Sequence, residues 1–365
     1  MRQSVISAAC LLLAISWAAA APPDLAFKPA GPGHFGFDTG AVRGKIRTSG
    51  GSQGIIELVH VSSGVEVAHG GTLPGIFSYY RVFSTDTRYG DAARDWPTKT
   101  KLLDDGSLEV FWPPAEKHPL EMTAIYRWRR RDTLDVETIA RPQKDMPGFE
   151  VFLSSYFSPG FRALVYVRPN MFTSGKPQFL PADVNPLVDG TYLMFPRDRR
   201  AAQMIFDRRW EFPPNPVQWS VTRHLAAPMA MRKDDKSGVA AILMSPPEDC
   251  FAIATPYNKT PPDGVAGHQS LYLSLFGRDV KAGETVRAHA RLMVGRNIFD
   301  QQAVTLYSDY LAERKKWGGS SPSGRRPTIT APAAEQGSYE PDCADEQAQT
   351  DKGSEVRFLR RDTQE

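Results

Sequence analysis

From about residue 40 to residue 294 the chain alternates apolar and polar positions in one short run after another. The clearest run is 284–294, where Val286, Ala288, Ala290, Leu292 and Val294 interleave with Thr285, Arg287, His289 and Arg291. Period two puts one set of side chains on a buried face and the other in water, so a strand with Arg287 and His289 on its wet side is predicted. The same pattern runs through Met122, Ala124, Tyr126 and Trp128, and again through Leu134-Asp135-Val136-Glu137. Residues 102–112 carry Asp105-Gly106 at their centre, the turn chemistry of a tight hairpin. Further strands are predicted over 55–61, 76–83, 149–156, 163–167, 217–222, 239–244, 250–254 and 270–276.

With almost no helix-period segment between these runs, the pattern predicts an all-β fold, a large antiparallel two-sheet sandwich, rather than alternating strands and helices. One C-terminal helix is predicted at about 300–316, where Asp300 can cap the first turn and Ala303, Leu306, Tyr307, Tyr310 and Leu311 form an apolar stripe. Twenty-nine glycines and thirty prolines in 365 residues agree with many strand-to-strand turns.

The ends of the chain have a different character. Arg2, an apolar run from Val5 to Ile15 and Ala18-Ala19-Ala20 read as a signal peptide over 1–20, which predicts a secreted or periplasmic protein. The run is too short to span a bilayer, and no integral membrane segment is predicted after cleavage. Residues 21–38, rich in Pro and Gly, are expected to form an extended leader ahead of a single domain over 39–317. Beyond Trp317 the chain turns polar, with six basic and nine acidic residues from Gly319 onward, and 318–365 reads as a disordered tail. A net charge of +3 without a dense Lys/Arg patch argues against nucleic acid. Cys250 and Cys343 could pair in an oxidising compartment, but no Cys/His spacing suggests a metal and no cofactor is implied.

Three segments hold candidate chemistry. The first, from Ser78-Tyr79-Tyr80-Arg81 through Thr87-Arg88-Tyr89 to Arg94-Asp95-Trp96, mixes aromatic rings with charged groups. Rings stack on the C–H faces of sugars while Arg and Asp fix hydroxyl or carboxylate groups, so Tyr80, Arg81, Arg88, Asp95 and Trp96 are candidate saccharide contacts. The alternative is that Tyr79 and Tyr80 are ordinary strand residues and Asp95-Trp96 only builds a turn. The second, Arg197-Asp198-Arg199-Arg200 to Asp207-Arg208-Arg209, could grip an acidic sugar through Arg199 or pair with itself. The third comprises His224, Glu248-Asp249 and His268, where an imidazole and a carboxylate could move protons; each histidine could equally be structural. Asn258-Lys259-Thr260 matches a glycosylation sequon. Nucleophile-elbow, zinc-protease and nucleotide-loop motifs are absent.

The segments Gly36-Phe37-Asp38-Thr39-Gly40, Phe77 to Phe83, Pro246 to Phe251 and His268 to Asp279 resemble uncharacterised exported bacterial proteins. The layout over roughly 35–315 is similar to the galactose mutarotase-like β-supersandwich. That resemblance implies carbohydrate handling by cofactor-free acid/base chemistry of epimerase, lyase or hydrolase type. It also implies a histidine acid and a glutamate base, for which His224 and Glu248 fall in order; the residues themselves add His268 as the other candidate acid and Arg81, Arg88, Trp96 and Arg199 as groups that position a saccharide or polysaccharide. A non-catalytic glycan-binding or cell-envelope structural module is the alternative, and a sandwich without a small ligand a third reading.

Overall fold

A computed structural model describes residues 25–68, 74–169, 175–182, 191–221, 223–256 and 269–318. The segment read as a signal peptide, the tail from 319 on, Cys343, His268 and the Asn258 sequon lie outside the described residues. Three antiparallel sheets form rather than two. The nine-stranded sheet runs in the order Gln178–Pro181, Phe161–Val167, Leu225–Asp234, Val239–Met244, Val286–Arg296, Thr133–Pro142, Leu120–Arg130, Leu108–Trp112 and Lys99–Leu102. The six-stranded sheet runs Tyr192–Pro196, Cys250–Pro256, Ser270–Val280, Met146–Tyr156, Ser78–Ser84 and Thr87–Arg88. These two pack through one large apolar core, to which Met122, Ala124, Tyr126 and Leu292 contribute from the first and Tyr79, Val82, Val151 and Leu273 from the second.

The third sheet corrects the expected leader. It is a five-stranded meander of Lys28–Pro29, His34–Asp38, Val42–Arg47, Gly54–His60 and Val65–Ala68. Its first two strands fall within residues 21–38. The cause is aromatic burial: Phe27 and Phe37 meet edge to face at 5.7 Å, and Phe37 lies 4.8 Å from Trp128 of the nine-stranded sheet. Pro and Gly in this segment serve the turn between paired strands, with Gly33 at φ +66°.

Each large sheet is covered on its outer face as well. On the nine-stranded sheet, Met229, Met231, Ala240, Ile242 and Met244 receive Ala303, Tyr307 and Tyr310 of the C-terminal helix Asp300–Gly318. On the six-stranded sheet, Phe83, Phe152, Phe251 and Tyr272 are covered by the short helix Arg199–Ile205 and by Trp210 and Trp219. Burial on both faces explains why Met146–Tyr156 and Ser270–Val280 read as nearly continuous apolar runs. The strand expected over 217–222 is instead an irregular crossing that touches a strand at one bridge, Leu193 to Ser220. Val217, Trp219 and Val221 alternate there because they pack down onto the sheet, and no ladder forms.

The wet face expected for His289 is also corrected, because the C-terminal helix brings its own charges to that face. His289 Nδ1 lies 2.7 Å from Asp249 Oδ2 and Nε2 lies 3.6 Å from Glu137 Oε1, while Arg314 Nη2 sits 2.9 Å from Nδ1. Beside it Arg291 binds Asp135 at 2.6 Å and Glu313 of the helix at 2.8 Å, with its guanidinium 4.3 Å from the Tyr310 ring. Burial alone would lower the imidazole pKa; the hydrogen bonds that His289 donates to Asp249 and Glu137 outweigh burial and the opposing Arg314, and hold it above its usual 6.5. The His289 bond is in turn the main reason that Glu137 falls to about 2.

The sign of the linkage follows. The contribution of His289 is complete below its ordinary pKa of 6.5 and is lost as pH rises through its raised folded value. That of Glu137 is complete above 4.5 and is lost on acidification toward 2. The network is therefore fully charged between about pH 4.5 and 6.5. The urea midpoint is expected to fall from pH 6 to pH 9, and His289→Gln to flatten that decline relative to the unaltered protein. Equal pH slopes in the two proteins would remove His289 as its source.

Candidate functional site

The outer face of the six-stranded sheet and the 210–219 crossing enclose a cavity of about 370 Å³. Tyr80, Phe152, Tyr156 and Tyr272 line it from the sheet, and Trp210 and Trp219 close it from the crossing. Across the shared Trp210–Trp219 wall lies a second, more open hollow of about 480 Å³, with the 60 % exposed Phe206 at its edge.

A β-bulge aims two adjacent residues into the cavity. Val82 pairs with Val151, Arg81 with Phe152, and Tyr79 with Leu153, so Tyr80 is the extra residue. Strict alternation would send Arg81 inward beside Tyr79; the bulge restores Tyr79 and Val82 to the core and turns both Tyr80 and Arg81 outward. Arg81 is only 1 % exposed. Its guanidinium lies 4.8 Å from the Tyr80 ring and 5.1 Å from the Trp210 ring, and Nη2 donates to Asn215 O at 2.7 Å and Tyr80 Oη at 3.1 Å. Arg81 Nε and Nη1 have no hydrogen-bond partner, and neither do the indole N–H groups of Trp210 and Trp219. Native interiors rarely tolerate such groups without a compensating contact.

Two more arginines border this centre. Arg94 stands 4.5 Å from the Tyr80 ring and 5.9 Å from Tyr156, with its Nε and Nη1 unpartnered. Arg88 Nη1 donates to Pro214 O at 2.6 Å and so holds the crossing beside Asn215. Burial first, and then the charge of Arg81, hold the Arg88 pKa below its usual range, partly offset by Tyr80 and Asp91. On the same sheet wall the hydroxyls of Tyr156 and Tyr272 meet at 3.1 Å, and burial followed by Tyr156 pushes the Tyr272 phenol well above 10.

Of the residues expected at a site, the structure thus brings together Tyr80, Arg81 and Arg88. Asp95 is exposed and accepts from the Ser52 N–H at 2.7 Å, while Trp96 is buried, stacked on His118 at 3.8 Å and 8°. Both serve the loop they build, as the alternative reading of that segment held. The Arg197–Arg209 run is self-paired: Arg197 with Asp198, Arg208 with Glu211 and Asp86, and Arg209 with Asp207 and Glu150. Arg199 is exposed at the start of its helix and does not line the cavity.

His224 is exposed ahead of Leu225–Asp234, with only its carbonyl engaged, by the Arg168 N–H at 2.9 Å. Glu248 is exposed in the turn before Cys250–Pro256. No hydrogen bond or ion pair among the described residues joins them, and neither lines the cavity. The sequence reading missed Arg94, Phe152, Tyr156, Trp210, Trp219 and Tyr272 as site residues. The discoverable signal was Arg81 itself, an arginine at a position that period two assigns to the core.

No protein-family model matches this chain, and no curated protein matches it. Solved structures do resemble it. A galactose mutarotase related enzyme from Lactobacillus acidophilus has a TM-score of 0.45 at 10% identity, over 73% of this chain and 99% of the other. A GalM/aldose epimerase homologue from C. elegans has a TM-score of 0.43 at 9% identity, over 71% and 97%. An alpha-N-acetylgalactosaminidase from Bifidobacterium bifidum has a TM-score of 0.44 at 10% identity, over 78% of this chain and 38% of the other. These likenesses carry no residue roles to the cavity.

What holds the cavity closed is the ion pair of Arg209, 0 % exposed, with Glu150, 1 % exposed, at 2.8 Å. Arg209→Met strands a buried carboxylate and is expected to cost about 3–5 kcal/mol in urea unfolding. Glu150→Leu combined with Arg209→Met is expected to be markedly less destabilising than Arg209→Met alone. If the double variant instead lost the sum of the two single changes, the pair would not be coupled.

Proposed function

We propose that this protein is an exported saccharide-binding protein and that the Tyr80–Trp219 cavity is its ligand site. The observation that carries the reading is the density of aromatic faces around a small concave space. Sugar rings offer C–H faces to aromatic rings, and the cavity is lined by Tyr80, Tyr156, Tyr192, Tyr272, Trp210 and Trp219. The adjoining hollow supports a second sugar unit across the Trp210–Trp219 wall. Export rests on the apolar run from Val5 to Ile15 and Ala18-Ala19-Ala20. No described helix is long and apolar enough to cross a membrane.

The geometry favours binding over acid/base turnover. Neither a carboxylate nor an imidazole is among the described residues that line the cavity, and the histidine and glutamate expected to move protons stand exposed elsewhere. His224→Ala and Glu248→Gln are accordingly expected to leave binding unaltered.

The test is a thermal-shift screen of the full chain against neutral, acidic and sulfated oligosaccharides, followed by calorimetry on any ligand found. A ligand at a hundred times its Kd stabilises the folded state by about 2.7 kcal/mol, a shift that is easily read. Tyr192 lines the cavity at 42 % exposure, so Tyr192→Ala can fold normally. It is expected to raise Kd about tenfold, as is Trp219→Phe, which shortens the stacking face while filling the core. Binding that survives both changes would place the ligand elsewhere.

A further inference from the structure

Building on the saccharide reading of this cavity, we infer that its ligand is an acidic sugar, bearing a carboxylate or a sulfate ester drawn by the uncompensated charge of Arg81, which lines the cavity, and of Arg94, which stands against the Tyr80 ring outside the lining. Two guanidinium groups stand against one ring, Tyr80, at 4.8 and 4.5 Å. A buried guanidinium is usually offset by a nearby carboxylate. Here none does: among the described residues Arg81, Arg88 and Arg94 make no ion pair, and no Asp or Glu lines the cavity. Asp91 acts on Arg88 from an exposed position and touches neither of the other two in any described contact.

The contrast within the same face is sharp. Arg197, Arg208 and Arg209 all have carboxylate partners, with Arg209 taking two. The charges of these three arginines are cancelled by carboxylates, whereas those of Arg81, Arg88 and Arg94 are not. Aromatic faces stabilise a guanidinium without neutralising it, so the Tyr80, Tyr156 and Trp210 rings hold the charge in place and preserve its field. Low-dielectric walls focus such a field into a cleft.

Hydrogen-bond accounting points the same way. Nε and Nη1 of both Arg81 and Arg94 are buried and have no hydrogen-bond partner among the described residues, so neither cation is fully compensated. A neutral sugar would leave these cations as costly as before. An anionic one supplies the missing counter-charge.

The experiment is calorimetry on the full chain with probes matched in ring and differing in charge: trigalacturonate against its methyl ester, a sulfated galactan tetrasaccharide against its desulfated form, and inorganic sulfate alone. At least one acidic sugar is expected to bind tenfold or more tightly than its neutral match. The preference should shrink with added salt. It should vanish in Arg94→Gln and survive in Arg94→Lys; Arg94 is half-buried, and an unchanged melting temperature in each variant shows that the fold is kept. Equal affinity for charged and neutral partners would overturn the acidic ligand and leave the saccharide site standing. Inorganic sulfate binding as tightly as the sulfated sugar would overturn the saccharide reading. Failure of every probe to bind would overturn both.

Discussion

The ion pair between Arg209 and Glu150 is the contact that turns the outside of a sheet into an enclosed space. Without a cover, Phe83, Phe152, Phe251 and Tyr272 would present an apolar surface to water, and the Cys250–Pro256 and Ser270–Val280 strands could not be apolar on both faces. The cover is an irregular segment of modest length that cannot hold itself in place by a backbone ladder. Its anchor is a guanidinium that spans Asp207 of its own segment and Glu150 of the sheet, with Trp210 next in sequence and therefore fixed by it. Buried pairs contribute little net stability against an apolar substitute, but they fix register strongly, because any slip strands two charges.

With the cover anchored, a small local irregularity has large consequences. The bulge at Tyr80 adds one residue to one strand and reverses the side on which everything beyond it points. Tyr79 keeps its hydroxyl bond to Thr138 at 2.6 Å inside the core, while Tyr80 and Arg81 face the cover. Arg81 then ties the two layers together through Asn215, and Arg88 does so through Pro214. The cavity walls are thus set by contacts that exist before any ligand arrives.

Much of the sandwich was legible because period two is a direct imprint of a sheet with one buried face. The 120–130 and 133–142 strands and the Asp105-Gly106 turn follow from it, with Gly106 at φ +79° as the hairpin requires. The misreadings share one physical cause, burial by something other than the expected neighbour. Val217, Trp219 and Val221 alternate because they pack onto a sheet from above. His289 looks wet until the C-terminal helix covers it. The leader looks unfolded by composition, yet two phenylalanines are enough to seat it on Trp128. At the site, three of six expected binding residues converge. The rest of the wall comes from strands and a crossing more than fifty residues away in sequence, a juxtaposition no local pattern encodes.

The two outer faces also show how one residue type can do opposite work. Under the C-terminal helix, Arg291 touches a tyrosine ring and two carboxylates at once, and Arg287 and Arg314 join acidic and imidazole groups around it. Arg287, Arg291 and His289 there each meet a carboxylate, so the face is a clasp whose strength follows pH. Around Tyr80 the arginines touch rings but no carboxylates, so their charge stays available. A guanidinium stacked on aromatics keeps its charge, because the rings hold it without neutralising it. The difference between clasp and site is therefore set less by the arginines than by whether the fold places an acidic residue within reach of them.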